Sequence, residues 1–324
     1  MEFRITLISL ILLLFIYSCR ESSDSGNNII DPTLGGVYTE IEGNISGTLA
    51  FNDAPFLVVK DISVSAQDTL KIDAGVTLFF EEDTKLNSAG VIIAEGTKLK
   101  PIIFTSFRTS FLSRWLGISI ANQPDTSIFK FCIVQKVFQE NNVPLTNGAI
   151  EIDNSNVVVE NCVFKLNSCI YGGGLFISNS GAVIKNNIFR DNDAEVYGGA
   201  MFLLNSTSII INNTIYDNYC FNFGGAIVFW DPLNTELQNN IIYDYNSPTP
   251  DGPIAIASGD STNIYELYNY LAFDEMDPMF ISIDNLHLST GSPCINNGNP
   301  ASEYNDVNGT RNDQGAFGGP LGDW

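Results

Sequence analysis

The sequence predicts an all-β protein, a right-handed parallel β-helix: a single-stranded solenoid with N- and C-terminal caps. Three observations predict it. An Asn that opens an apolar run recurs at Asn161, Asn186, Asn212 and Asn239, at intervals of 25, 26 and 27 residues. Glycine pairs keep the same time: Gly172-Gly173, Gly198-Gly199 and Gly224-Gly225 are each 26 residues apart. A fixed period of this length marks a solenoid. Each period also holds two or three short runs rich in Ile, Val, Phe and Tyr, which favour pleated strands. No period contains a long amphipathic stretch of good helix formers, so a helix-bearing leucine-rich repeat is disfavoured.

Taken in order, residues 1–18 read as an export signal. Arg4 precedes an apolar run over residues 5–17, too short to span a bilayer and the right length for a signal core. The run ends Ile16-Tyr17-Ser18-Cys19, which resembles the lipobox of bacterial lipoproteins. That resemblance implies lipidation of Cys19 and an outer-membrane or cell-surface address held by the lipid. An ordinary cleaved signal with an incidental Cys is the alternative. Residues 19–34 are polar and read as a disordered tether. Residues 35–55 are expected to cap the first coil, and coils to run over 56–246. Their early strands are runs such as Phe56-Leu-Val-Val, Val76-Thr-Leu-Phe-Phe and Ile102-Ile-Phe-Thr, broken by Asp73-Ala-Gly and Glu95-Gly-Thr. Cys132 is expected at the coil position of Cys162. Residues 247–324 are expected to finish and cap the stack, because bare strand edges invite aggregation. Stacking at about 4.8 Å sets like residues above one another, so corner Asn side chains can hydrogen-bond up the stack.

Hydrophobic residues make up 44% of the 324, enough for a continuous core, whereas charged residues are only 16%. The formal net charge is −22, from 37 acidic against 15 basic residues. This argues against nucleic-acid partners and against an anionic membrane surface beyond the lipid at Cys19. Polyanions such as pectin would need bridging cations. Without Cys19 five cysteines are left, irregularly spaced; buried free thiols are the plainer reading, with Cys162–Cys169 or Cys169–Cys220 bridges as alternatives. The sole histidine, His287, and the lack of a CxxC pair remove any Cys/His zinc constellation. A monomer is expected, with no cofactor other than calcium to consider.

Two further segments carry a resemblance. Asp277-Pro-Met-Phe, Leu286-His-Leu, Gly291-Ser-Pro-Cys-Ile-Asn-Asn-Gly-Asn-Pro and Asp306-Val-Asn-Gly-Thr-Arg-Asn-Asp-Gln-Gly resemble the closing segment of bacterial surface β-helix proteins, the choice-of-anchor Q domain. The strands from Ile62 to Trp115 resemble the opening coils of the right-handed β-helix repeat family, within the pectate-lyase-like superfamily. The resemblances imply the fold and an extracellular location. They imply no single activity, because the scaffold hosts lyases, hydrolases, epimerases and adhesins; function has to come from a site.

Three groups of residues are candidates. Tyr171, Tyr197 and Phe223 precede the glycine pairs at 26-residue intervals and should form an aromatic ladder. Such a ladder offers apolar faces to sugar rings, or simply shields a corner. Arg190, Asp191, Asp193, Asp217 and Asp244 follow the Asn positions, with Asp191, Asp217 and Asp244 equivalent in the coil. In pectate-lyase-like enzymes clustered carboxylates hold calcium beside an Arg or Lys base, and polygalacturonase-like enzymes use aspartates as acid and base. By resemblance these residues could serve so, although no motif of either family is intact; turn residues suited to tight corners are the plainer reading. Asp306, Asn308 and Asp313 could ligate calcium, but their spacing is not that of an EF-hand, and a cap fixed by Arg311 and a carboxylate is favoured. His287 reads as structural. Two classes of function follow: a surface protein, non-catalytic, that binds carbohydrate or another extracellular partner, or else a polysaccharide lyase or glycoside hydrolase. A spacer role is a third.

Overall fold

Each coil is drawn by alternation. In a central coil Leu175–Ser178 lies on a first face, Gly181–Lys185 on a second and Ile188–Arg190 on a third. The chain then returns through an outer strand, Asp193–Tyr197, to Met201–Leu204, which pairs in register with Leu175–Ser178 one coil below. Alternate side chains point inward, so Leu175, Ile177, Ile184 and Phe189 are all fully buried. The computed structural model describes residues 37–108, 115–138, 147–243, 254–272 and 277–324. These make a parallel β-solenoid of about eight turns. The second face is a nine-stranded parallel sheet. The first and third faces form one 17-stranded sheet, joined where the long strand Phe56–Val64 bends from one to the other. Aromatic residues fill the interior: Phe80 stacks on Trp115 at 4.2 Å and Phe164 on Phe189 at 4.8 Å.

The corners explain the Asn and Asp content. Asn154, Asn179, Asn205 and Asp231 turn the first face into the second with φ of 46° to 48°. Asn161, Asn186, Asn212 and Asn239 turn the second into the third with φ of 53° to 58°. Asn and Asp tolerate this left-handed region better than other side chains. The glycine pairs solve two problems. Gly172, Gly198 and Gly224 have φ of 56° to 67°. At Gly173 and Gly199 a Cβ would collide with the glycine carbonyl of the next coil.

The ladder up the stack is made by the residue after each corner Asn. Asn187 Nδ2 donates to Asn213 Oδ1 at 3.0 Å, Asn213 to Asn240 at 3.0 Å and Asn240 to Asn269 at 2.9 Å. Cys162 heads this ladder: its N–H donates to Asn187 Oδ1 at 2.9 Å, and its Sγ accepts from the Cys132 N–H at 3.3 Å. Cys132 and Cys162 thus share a coil position. A second internal ladder links Asn167, Asn192 and Asn218. The five cysteines described are buried and form no disulfide with one another.

Coils continue beyond residue 246, through Ile254–Ser258, Ile264–Leu267 and Tyr270–Ala272. Residues 277–324 then run back along the third face. The Asn299 N–H donates to Asn239 Oδ1, and Asn212 Nδ2 donates to the carbonyls of Asp313 and Gly315. Asn186 Nδ2 reaches Ala316 and Gly318, and Asn161 Nδ2 reaches Leu321. Lys98 pairs with Asp323 at 3.3 Å. Leu286 and Ala316 bury the outward Ile188 beneath this strap. The Asn side chains of the second corner therefore hold the strap, with one rung of their own from Asn239 Nδ2 to Asn212 Oδ1 at 3.4 Å, while the buried ladder is made by their neighbours. Asn186→Ala removes donors from two carbonyls and is expected to destabilise the chain by about 1–3 kcal/mol. Limited proteolysis should then cut within 277–324 faster than in the unaltered protein; an unchanged rate would mean the strap is held elsewhere.

Candidate functional site

The outer strands carry the aromatic residues. Ser168–Tyr171, Asp193–Tyr197 and Tyr219–Cys220 form a small parallel sheet, and Tyr197 bridges to Phe223. Tyr171 stacks on Tyr197 with ring centres 5.8 Å apart and an 18° interplanar angle. Phe223 meets Tyr197 edge-on at 6.0 Å, and Trp230 does so at 5.6 Å. Behind them the outward residues of the first face are apolar: Phe176, Phe202, Val228 and Ala255 follow one another up the stack. Phe176 and Phe202 are only 7% and 4% exposed because the tyrosines lie over them. The expected ladder is thus present as a half-buried aromatic shelf that also covers an apolar floor.

The shelf ends on carboxylates. In Ile150–Asp153 both Ile side chains are fully buried, and Glu151 and Asp153 alternate with them, partly exposed. Glu151 is in register with Phe176, and Asp153 with Ser178. Burial raises the Glu151 carboxyl above its usual range; hydrogen bonding from Asn147 works against this, Asp153 adds to it and Lys85 opposes it weakly. Glu151 accepts from Asn147 Nδ2 at 3.4 Å and from Ser119 Oγ at 3.5 Å. Asp153 accepts from Ser178 Oγ, and from Asn179 Nδ2 at 3.2 Å. Sequence reasoning missed this pair because neither residue repeats; the signal was the alternation Ile-Glu-Ile-Asp.

Arg190 and its aspartates stand elsewhere. Arg190 Nε pairs with Asp191 at 2.7 Å and Nη1 donates to the Ile283 carbonyl at 2.9 Å, so the guanidinium ties the strap to a corner. Asp191 and Asp217 occupy equivalent corners with φ of 53° and 52°. Asp193 lies near both, and its carboxyl is pushed up to about 6, by burial first and then by these two charges. Asp244 and Cys19 lie outside the described residues.

The strap consumes the remaining candidates. Asp306 accepts from the N–H groups of Asp313 and Gly319, Asn308 from Thr310, and Asp313 from the N–H of Asn296. Among the described residues no group of three or more His, Cys, Asp and Glu is placed to hold a metal ion. Arg311 bonds the Gly298 carbonyl, where a carboxylate partner was expected. His287 stacks on Phe317 at 3.6 Å and fixes the strap's hairpin.

With this geometry the chain is a β-helix protein whose outward first face carries the most distinctive surface. A family model described as a right handed beta helix region matches residues 116–266, which include the shelf and Glu151. No curated protein and no solved structure matches the chain.

Proposed function

We propose that this is a cell-surface β-helix protein, lipid-anchored through Cys19, that binds an extracellular glycan on its first face without cleaving it. The observation that carries the reading is the stacked Tyr171–Tyr197 pair, continued by Phe223 and Trp230 and bordered by polar side chains. Aromatic faces bind the apolar C–H surfaces of sugar rings, and polar neighbours meet the hydroxyls. A glycan array probed with the full chain in detergent tests it. Tyr197→Leu keeps Phe202 covered and removes the ring; it is expected to weaken binding at least tenfold with little change in melting. Undiminished binding would place the site elsewhere.

A second reading, an extracellular glycoside hydrolase, has one observation in its favour. Glu151 and Asp153 share an outward face of one strand, which sets their Cα atoms about 6.6 Å apart, and burial raises the Glu151 carboxyl in the direction a general acid needs. Release of reducing ends that vanishes in Glu151→Gln would favour it. A lyase has less support, because Arg190 is paired with Asp191 and tied to the strap.

A further inference from the structure

The occupant of the shelf is distinguished by charge. The outward positions around it read Ser119, Glu151, Phe176, Phe202, Val228 and Ala255 in one row, and Ala121, Asp153, Ser178, Leu204, Trp230 and Ser258 in the next. Neither row contains a Lys or Arg. The two carboxylates sit together at one end, Glu195 is exposed at the margin, and the chain carries a net charge of −22. A polyuronate would meet like charge here, and among the described residues Lys85 is the cation that acts on Glu151, as the last of the causes that shift it. One further atom bears on the choice. Asn147 Oδ1 is buried without a hydrogen-bond partner among the described residues, on the same side chain whose Nδ2 donates to Glu151. A buried acceptor left unmet is costly, and an ammonium group brings three donors and a counter-charge.

We propose that the shelf binds a glycan bearing free amino groups, with an ammonium seated at the Glu151–Asp153 end and sugar faces lying on Tyr171 and Tyr197. This rests on the glycan-binding reading and names the class of glycan. It differs from capture of a basic peptide in that sugar faces, and not cationic side chains, lie on the rings.

The test is titration calorimetry on the full chain in detergent with four hexamers: β-1,4-linked glucosamine, its fully N-acetylated counterpart, galacturonate and lysine. Glucosamine hexamer is expected to bind at least tenfold tighter than each of the others. That preference over the N-acetylated form should collapse in Glu151→Gln and persist in Glu160→Gln, which lies on the second face beside Lys130. Melting curves confirm that both variants fold. Equal affinity for the amino and acetylated hexamers would overturn the amino-sugar inference and leave glycan binding standing. Tighter galacturonate, or hexalysine as tight as the glucosamine hexamer, would overturn it too. Binding of no glycan would remove both readings.

Discussion

Asn213→Ala is expected to destabilise the chain by about 3–5 kcal/mol, because several buried groups lose their partners at once. Asn213 is fully buried. Its Nδ2 donates to the carbonyls of Ile184 and Ile211 and to Asn240 Oδ1, and its Oδ1 accepts both the N–H and the Nδ2 of Asn187 at 3.0 Å. Alanine leaves the buried Asn187 N–H and Nδ2 donors without the acceptor they share. Urea unfolding measures the effect. Asn156→Ala, at an exposed position on the second face, serves as the reference and should change stability by less than about 0.5 kcal/mol. Equal midpoints for the two variants would mean that the internal ladder does not hold the coils together.

The second large effect concerns Asp193. Its carboxyl is pushed up to about 6 in the fold from an ordinary value of 3.8, chiefly through burial, so the folded state favours the neutral form. The sign follows from linkage. Below about pH 4 the group is protonated whether folded or not and contributes no pH dependence. Between about pH 4 and 6 the unfolded chain ionises first, and stability falls as pH rises; above that range the deficit is constant, about 2–3 kcal/mol. Asp193→Asn stays neutral throughout. It should match the unaltered protein at pH 3.5 and exceed it by that amount at pH 7.5. A variant no more stable at pH 7.5 would mean that Asp193 is ionised in the fold at little cost.

Much of the fold was legible because the corners are demanding. Left-handed backbone at Asn161, Asn186, Asn212 and Asn239 restricts the residue choice, and the restriction repeats with every coil. Which Asn of a doublet points inward was not legible. Asn186 and Asn187 are equal in polarity, and only the backbone turn at the first sends the second into the core. The strap was hidden for another reason: many of its partners lie 60 to 225 residues away in sequence, and local pattern carries no trace of so remote a contact. The aromatic shelf could be read from its 26-residue spacing, although the spacing alone did not tell that Tyr171 and Tyr197 also cover Phe176 and Phe202. Glu151 and Asp153 escaped notice because a single pair of acids in a strand looks like any solvated face until the neighbouring coil shows Phe176 beside it.

The returning strap changes when the molecule is finished. Coils that touch only their neighbours can set one after another, whereas the strap needs contacts of long sequence separation, up to the 225 positions between Lys98 and Asp323. A chain cut short would keep its coils and leave Ile188 and the corner amides bare to proteases. What the coils build step by step between neighbours, the strap locks across long stretches of sequence.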